Sequence, residues 1–193
     1  MTRTKEACLC CATILVGLCL SFHQVVFSGF SLVPGDLGDA RMVAFVLEHS
    51  WRRLAGIGPH TAFWSPPYFF PEANTLAYSE VLVGDGPLFW IWRLAGIEPL
   101  GAHQLFLITV AVANFAAMYL LARSMGVGPA GSAGGAFLFA FGASRVNAMN
   151  HPQLQPCFWP VIAALAALKA VETSEGGRRR ADGAWIVVLA LAC

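Results

Sequence analysis

The sequence predicts an all-α integral membrane protein, a polytopic helix bundle whose large first outer loop carries two helices lying along the membrane. Three observations point there. Of the 193 residues, 57% are hydrophobic and only 12% charged, whereas soluble domains average about 25% charged and 45–50% apolar. Apolar runs long enough for the roughly 20 residues of a membrane-crossing helix recur along the chain. Between the first two runs, residues 34–99 collect acids, prolines and aromatics, a composition suited to a loop and not to a span. The formal net charge is +1 and no basic stretch is interleaved with aromatics, so nucleic-acid binding is set aside.

Residues 1–33 form the cytoplasmic N-terminus and the first span. Arg3 and Lys5 precede an apolar run from about Ala7 to Val33, longer than the core of about 7–15 residues in a cleaved signal peptide. The basic start places the N-terminus in the cytoplasm and the next segment outside. Cys8 and Cys11 have C-x-x-C spacing, but no second pair follows as it does in a zinc site, so these read as small apolar residues of a span. His23 and Gln24 fall within the run and face other helices rather than lipid.

After the acids Asp36 and Asp39 the period changes. Val43, Leu47, Trp51 and Leu54 share one helical face, Glu48 precedes Arg52 by four residues as a supporting pair, and Gly56 and Gly58-Pro59 end the helix. Trp51 with Arg52 and Arg53 suits a helix in the interface plane. The stretch from Phe63 to Pro71 has too much proline for a helix or central strand and reads as an aromatic loop at the membrane boundary. Val81 to Gly96 is apolar but short and carries Asp85, Pro87 and Arg93. If it crossed, Arg178–Arg180 would lie outside against the positive-inside bias, so residues 81–97 read as a second interfacial helix.

Further spans follow in 100–193: about 100–122, with Asn114 polar within it; 129–144, whose Gly131 and Gly135 have the small-xxx-small spacing of closely packed helices; and 154–171, capped by Arg178–Arg180. A last apolar run from 183 stops short of a full crossing, which leads to the expectation of a fragment, the N-terminal portion of a longer protein.

The chemistry-bearing groups collect on the outer side. Asp36 and Asp39 could act as a general base or hold a divalent cation, and Arg145 or His151 could meet a phosphate. Each has a structural alternative: Asp39 as N-cap of the following helix with Asp36 near its positive end, and His151-Pro152 as the start of the next span.

Gly35-Asp-Leu-Gly-Asp-Ala-Arg41, Leu47-Glu-His49, Phe63-Trp64, Pro67-Tyr-Phe-Phe-Pro71, Asn74-Thr-Leu76 and Tyr78-Ser79 together resemble bacterial polytopic membrane glycosyltransferases of the GT-C type. The resemblance covers most of this chain but only the first few spans of such proteins, and the acids here are spaced D-x-x-D rather than D-D or D-x-D. It implies Asp39 as the catalytic acid of the outer loop with Asp36 its companion, and residues 40–55 and 81–97 as the interfacial helices. Asn150-His-Pro-Gln153 is similar to a His-containing outer loop of related proteins. The implied activity is sugar transfer from a polyprenyl-phosphate donor at the outer face of the bacterial inner membrane, within the cell envelope. Asp39 would act on the acceptor hydroxyl, and Arg145, His151 and Arg41 are the candidate substrate contacts. A transporter or flippase component, with His23 as its ionisable group, and a non-catalytic membrane protein are the competing expectations.

Overall fold

The computed structural model describes residues 2–35, 38–69 and 71–175. Asp36, the Arg178–Arg180 cluster and the expected span from 183 lie outside the described residues. Among those described, the protein is all-helical with no strand. The order is α1 (Arg3–Ser21), α2 (His23–Phe27), α3 (Asp39–Ala55), α4 (Gly86–Leu94), α5 (Pro99–Ser124), α6 (Pro129–Phe141), α7 (Ala143–Asn147) and α8 (Phe158–Glu175), with 3-10 turns at Thr75–Tyr78, Ala148–Asn150 and Pro152–Leu154.

Three segments are long and apolar enough to cross a membrane: Arg3–Ser21, Pro99–Ser124 and Pro152–Val171. The first apolar run is not one continuous helix. It bends at Phe22, re-forms as α2, and turns at Gly29 and Phe30, both with positive φ, while the Ser28 hydroxyl donates to the Val25 carbonyl. The expected span at 129–144 is a 13-residue helix, about 20 Å long against a hydrocarbon core of about 30 Å. It ends at Gly142, whose backbone turns to an extended ψ of 167 and places the site of a Cβ against the Leu138 carbonyl, a conformation that suits glycine.

The chain divides into two compact units. Among the described residues, the first draws on 2–21, 111–146 and 156–175. Here α1 packs on α6, and Gly17 lets the Phe141 ring press against the α1 backbone. The close approach therefore lies at Gly17. Among the described residues, a Cβ on Gly131 would meet only Val127 of its own segment, and one on Gly134 or Gly135 would meet nothing. Polar ties secure the rest: Glu6 Oε1 accepts from the Tyr119 hydroxyl at 2.5 Å and Arg123 Nε at 2.9 Å, and Asn114 Oδ1 accepts from the Cys157 amide at 3.0 Å.

The second unit, drawn from Phe22–Val110 and Asn147–Gln155, is built on α3. Its helix starts at Asp39, as the change of period suggests, and ends on Gly56 at φ +68, a left-handed position glycine adopts at no steric cost. The buried stripe is wider than the apolar period implies. Ala40, Val43, Val46 and Leu47 are buried, but so are Glu48, His49 and Ser50, while Leu54 is exposed. Helix α4 has nine residues, about 14 Å, too short to cross a bilayer. It packs on α3 through Glu48, whose carboxylate meets Arg52 Nε at 2.7 Å and Arg93 Nε at 2.8 Å, and through the Trp90 indole N–H donating to the Ser50 hydroxyl at 2.9 Å. At the start of α5, Gln104 is buried and its amide donates to the carbonyls of Phe30 and Leu32, fastening the segment that leads into α3.

Candidate functional site

The first turn of α3 meets the loop that follows α7. His151 precedes Pro152, which disfavours helical backbone at His151 and keeps it extended between two 3-10 turns. That brings its ring to Asp39: Nδ1 lies 2.6 Å from Oδ2, and Gln153 Nε2 donates to the same oxygen at 3.3 Å. Both partners of the pair are about half exposed, so a ligand can reach them. The hydrogen bonds from His151 and then Gln153 hold the Asp39 carboxyl below its ordinary value. Because that pKa is depressed, the stabilisation is present above the usual carboxylate range and is lost as pH falls through the lowered value; at neutral pH Asp39 is a carboxylate.

Gly38 occupies the N-cap position of α3, and no side chain caps the helix. The capping alternative for Asp39 is thereby set aside, since its carboxylate is engaged across the unit with His151 and Gln153. The bond also fixes the imidazole. With Nδ1–H donating to the carboxylate, Nε2 of a neutral ring is left as a basic lone pair.

Gly35 sets the approach of these two segments. Its φ is +98, and a Cβ there would lie 2.6 Å from Ala40 Cβ and 2.9 Å from the Met149 carbonyl oxygen. Gly35→Ala is expected to cost about 1–3 kcal/mol through left-handed strain and to pry the loop from α3. A thermal melt of the variant, with the nuclear magnetic resonance chemical shift of the His151 ring, checks this; an unchanged melting point and ring shift would show that the contact does not hold the pair.

The other expected site residues disperse. Arg41 is exposed, two residues past Asp39 and so about 200° around the helix. It borders a separate cavity of about 240 Å³ with Pro34, Gly35, Ala44 and Leu100. Arg145 belongs to the first unit, where its Nη1 donates to Cys157 Sγ at 2.8 Å. Among the described residues no three His, Cys, Asp or Glu side chains cluster as a metal site would, and Asp39 Oδ2 already accepts two N–H donors. Asp36, the other half of the expected cation pair, lies outside the described residues.

Two features escaped sequence reasoning. His49 and His60, both buried, face each other Nδ1 to Nδ1 at 2.8 Å, while His49 Nε2 faces the Phe63 carbonyl at 2.9 Å. With both rings neutral, His49 donates from Nε2 and accepts at Nδ1 from His60, which clasps the aromatic loop onto α3. The signal was His49 within the helix, one turn before Arg52 and Arg53, with His60 just beyond the helix stop. Burial first, then the charges of His49 and Arg52, push the His60 pKa down, opposed by Glu48. A depressed pKa means the clasp is intact above about pH 6.5 and weakens as pH falls toward the lowered value. Amide exchange across residues 60–69, corrected for intrinsic rate, is expected to quicken between pH 7.5 and 5.5 (roughly spanning ordinary histidine titration), and His60→Gln is expected to remove that dependence; equal protection at both pH values would rule the clasp out. The second feature is His103 in α5, wholly buried with neither ring nitrogen hydrogen-bonded among the described residues and stacked on Phe106.

No protein-family model, curated protein or solved structure matches the chain.

Proposed function

We propose that this chain belongs to a membrane-embedded glycosyltransferase that moves a sugar from a polyprenyl-phosphate donor to an acceptor hydroxyl at the outer face of a bacterial inner membrane. The observation that carries the reading is the half-exposed Asp39–His151 pair, 2.6 Å apart, at the end of a buried helix. Three apolar helices support membrane embedding. The amphipathic α3 and the short α4 suit a position along the membrane surface, with the N-terminus of the chain in the cytoplasm.

In this reaction His151 Nε2 takes the acceptor hydroxyl proton while Asp39 stabilises the imidazolium that forms, the division of labour of a carboxylate–histidine pair. The acceptor oxygen bonds to the anomeric carbon as the bond from that carbon to the phosphate oxygen breaks. The polyprenyl phosphate leaves with the electron pair. Arg41, beside an otherwise apolar cavity, suits the phosphate of an amphiphilic donor. The histidine is thereby moved from meeting phosphate to moving the proton, because its Nδ1 is committed to Asp39. Asp36 keeps a supporting role as a feature of the sequence.

Membranes carrying the intact protein, given radiolabelled polyprenyl-phosphate sugars, test this. Label leaving the lipid for an acceptor, and failing to do so in His151→Gln, is the expected result. A competing transporter reading draws on His103, the buried ionisable residue in α5. Vesicle uptake abolished by His103→Phe, with lipid-linked label untouched, would replace the transferase.

A further inference from the structure

We infer that the cavity beside the aromatic loop is a binding site for an uncharged, hydroxyl-rich ligand, a carbohydrate, and so the acceptor subsite; as acceptor subsite it rests on the transferase reading. The cavity holds about 610 Å³ and lies wholly within the second unit. Met42 forms one wall, and it stands three residues after Asp39, on a neighbouring position of the same face of α3. The opposite walls are Phe69, Glu72, Thr75 and Tyr78.

The chemistry of these walls selects the ligand. The Tyr78 side chain is 90% exposed and the Phe69 side chain largely so, which offers ring faces to a flat apolar surface such as the C–H face of a pyranose. Thr75 is only 8% exposed, yet its hydroxyl has no hydrogen-bond partner among the described residues, and the Tyr68 hydroxyl, also at this cavity, is buried and equally unpartnered. Buried hydroxyls are ordinarily satisfied, but these two oxygens are closed to solvent and lie behind the wall, so the polar contact at the cavity surface is the carboxylate. Glu72 adds a carboxylate, a strong acceptor for sugar hydroxyls. Among the described residues no Lys, Arg or His lines the cavity, so a phosphate would meet the Glu72 carboxylate there. An ammonium ligand would also suit Glu72 and the rings, and choline in the test below reads that outcome.

The walls are held in place before any ligand arrives. Phe69 and Asn74 sit at φ +55 and +57, left-handed values uncommon outside glycine that persist where surrounding structure enforces them. The Asn74 amide donates to Ser65 Oγ at 2.9 Å and the Leu76 amide to the Trp64 carbonyl at 3.1 Å, cross-linking the loop beneath the cavity.

Saturation-transfer nuclear magnetic resonance on the intact protein in lipid nanodiscs tests the site with neutral methyl glucoside, galactoside and mannoside, and with choline and inorganic phosphate in parallel. At least one glycoside is expected to receive saturation, falling about tenfold in occupancy, the loss of one good contact, in both Tyr78→Ala and Glu72→Gln. Tyr78 is exposed, so its loss leaves the fold intact. No glycoside signal, a glycoside signal unchanged in both variants, or choline alone showing a Tyr78-dependent signal would overturn the site. Asp39→Asn separates the two proposals. Retained glycoside binding with no sugar transfer by the unaltered protein upholds the cavity and sinks the transferase, and transfer without glycoside binding does the reverse.

Discussion

Asp39→Asn is expected to lower sugar transfer by about 10²–10⁴-fold, the usual worth of general acid–base catalysis, while leaving glycoside binding unchanged. Asparagine keeps the shape of the side chain, and its amide oxygen can still accept from His151 Nδ1. What it cannot supply is negative charge. In the native pair the carboxylate receives both His151 and Gln153, and its charge is what makes an imidazolium tolerable once Nε2 has taken a proton. An amide in its place leaves that ion uncompensated and also permits the opposite tautomer, with Nε2 protonated and unable to act as a base. Transfer from radiolabelled lipid donor, measured at saturating acceptor, reads the effect directly. Full activity in Asp39→Asn would remove the carboxylate from the mechanism.

Glu48→Ala is expected to destabilise the second unit by about 3–5 kcal/mol, the cost of breaking a buried ion pair by removing one partner. Glu48 is nearly fully buried, and Arg93 has a side-chain exposure of only 16%. Without the carboxylate, the Arg93 guanidinium keeps a bond to the Ile97 carbonyl but carries an uncompensated charge against α3. Arg52, more exposed, can turn to water. The double variant Glu48→Leu/Arg93→Met removes both charges and is expected to be milder than Glu48→Ala alone. Thermal unfolding in detergent, followed by near-ultraviolet circular dichroism, compares the two. A double variant less stable than Glu48→Ala would mean that the pair contributes net stabilisation beyond cancelling its own desolvation.

Local signals carried much of this fold. The start of α3 at Asp39, its stop at Gly56 and the Glu48–Arg52 pair all depend on residues within four positions of one another, so periodicity and spacing suffice to find them. The short α4 was legible from its interrupting Asp85, Pro87 and Arg93. Long-range pairings were not. Glu48 meets Arg93 across 45 residues and Asp39 meets His151 across 112, and no spacing rule reports such partners. Sequence reasoning put Asp39 and His151 on one side of the membrane, where bundling of the spans could bring them together, but named no contact between them. Hydropathy also misjudged continuity. It reads composition, and the run from Ala7 to Val33 stays apolar through the bend at Phe22 and the turn at Gly29. The run at 129–144 is equally apolar, but its helix ends at Gly142 after 13 residues. Among the described residues the glycines that admit a close neighbour from another segment are Gly17 and Gly35, and neither belongs to a spacing motif that would have announced it.

A double-mutant cycle on Asp39 and His151 bears most directly on the reactive pair. Transfer rates would be measured for Asp39→Asn, His151→Gln and the double variant in membranes with matched protein levels. Groups that act as a unit give non-additive losses, so the double variant is predicted to be no slower than the worse single variant. A double variant whose loss equals the product of the two single losses would show two independent residues and contradict the Asp39–His151 pair as the centre of the chemistry.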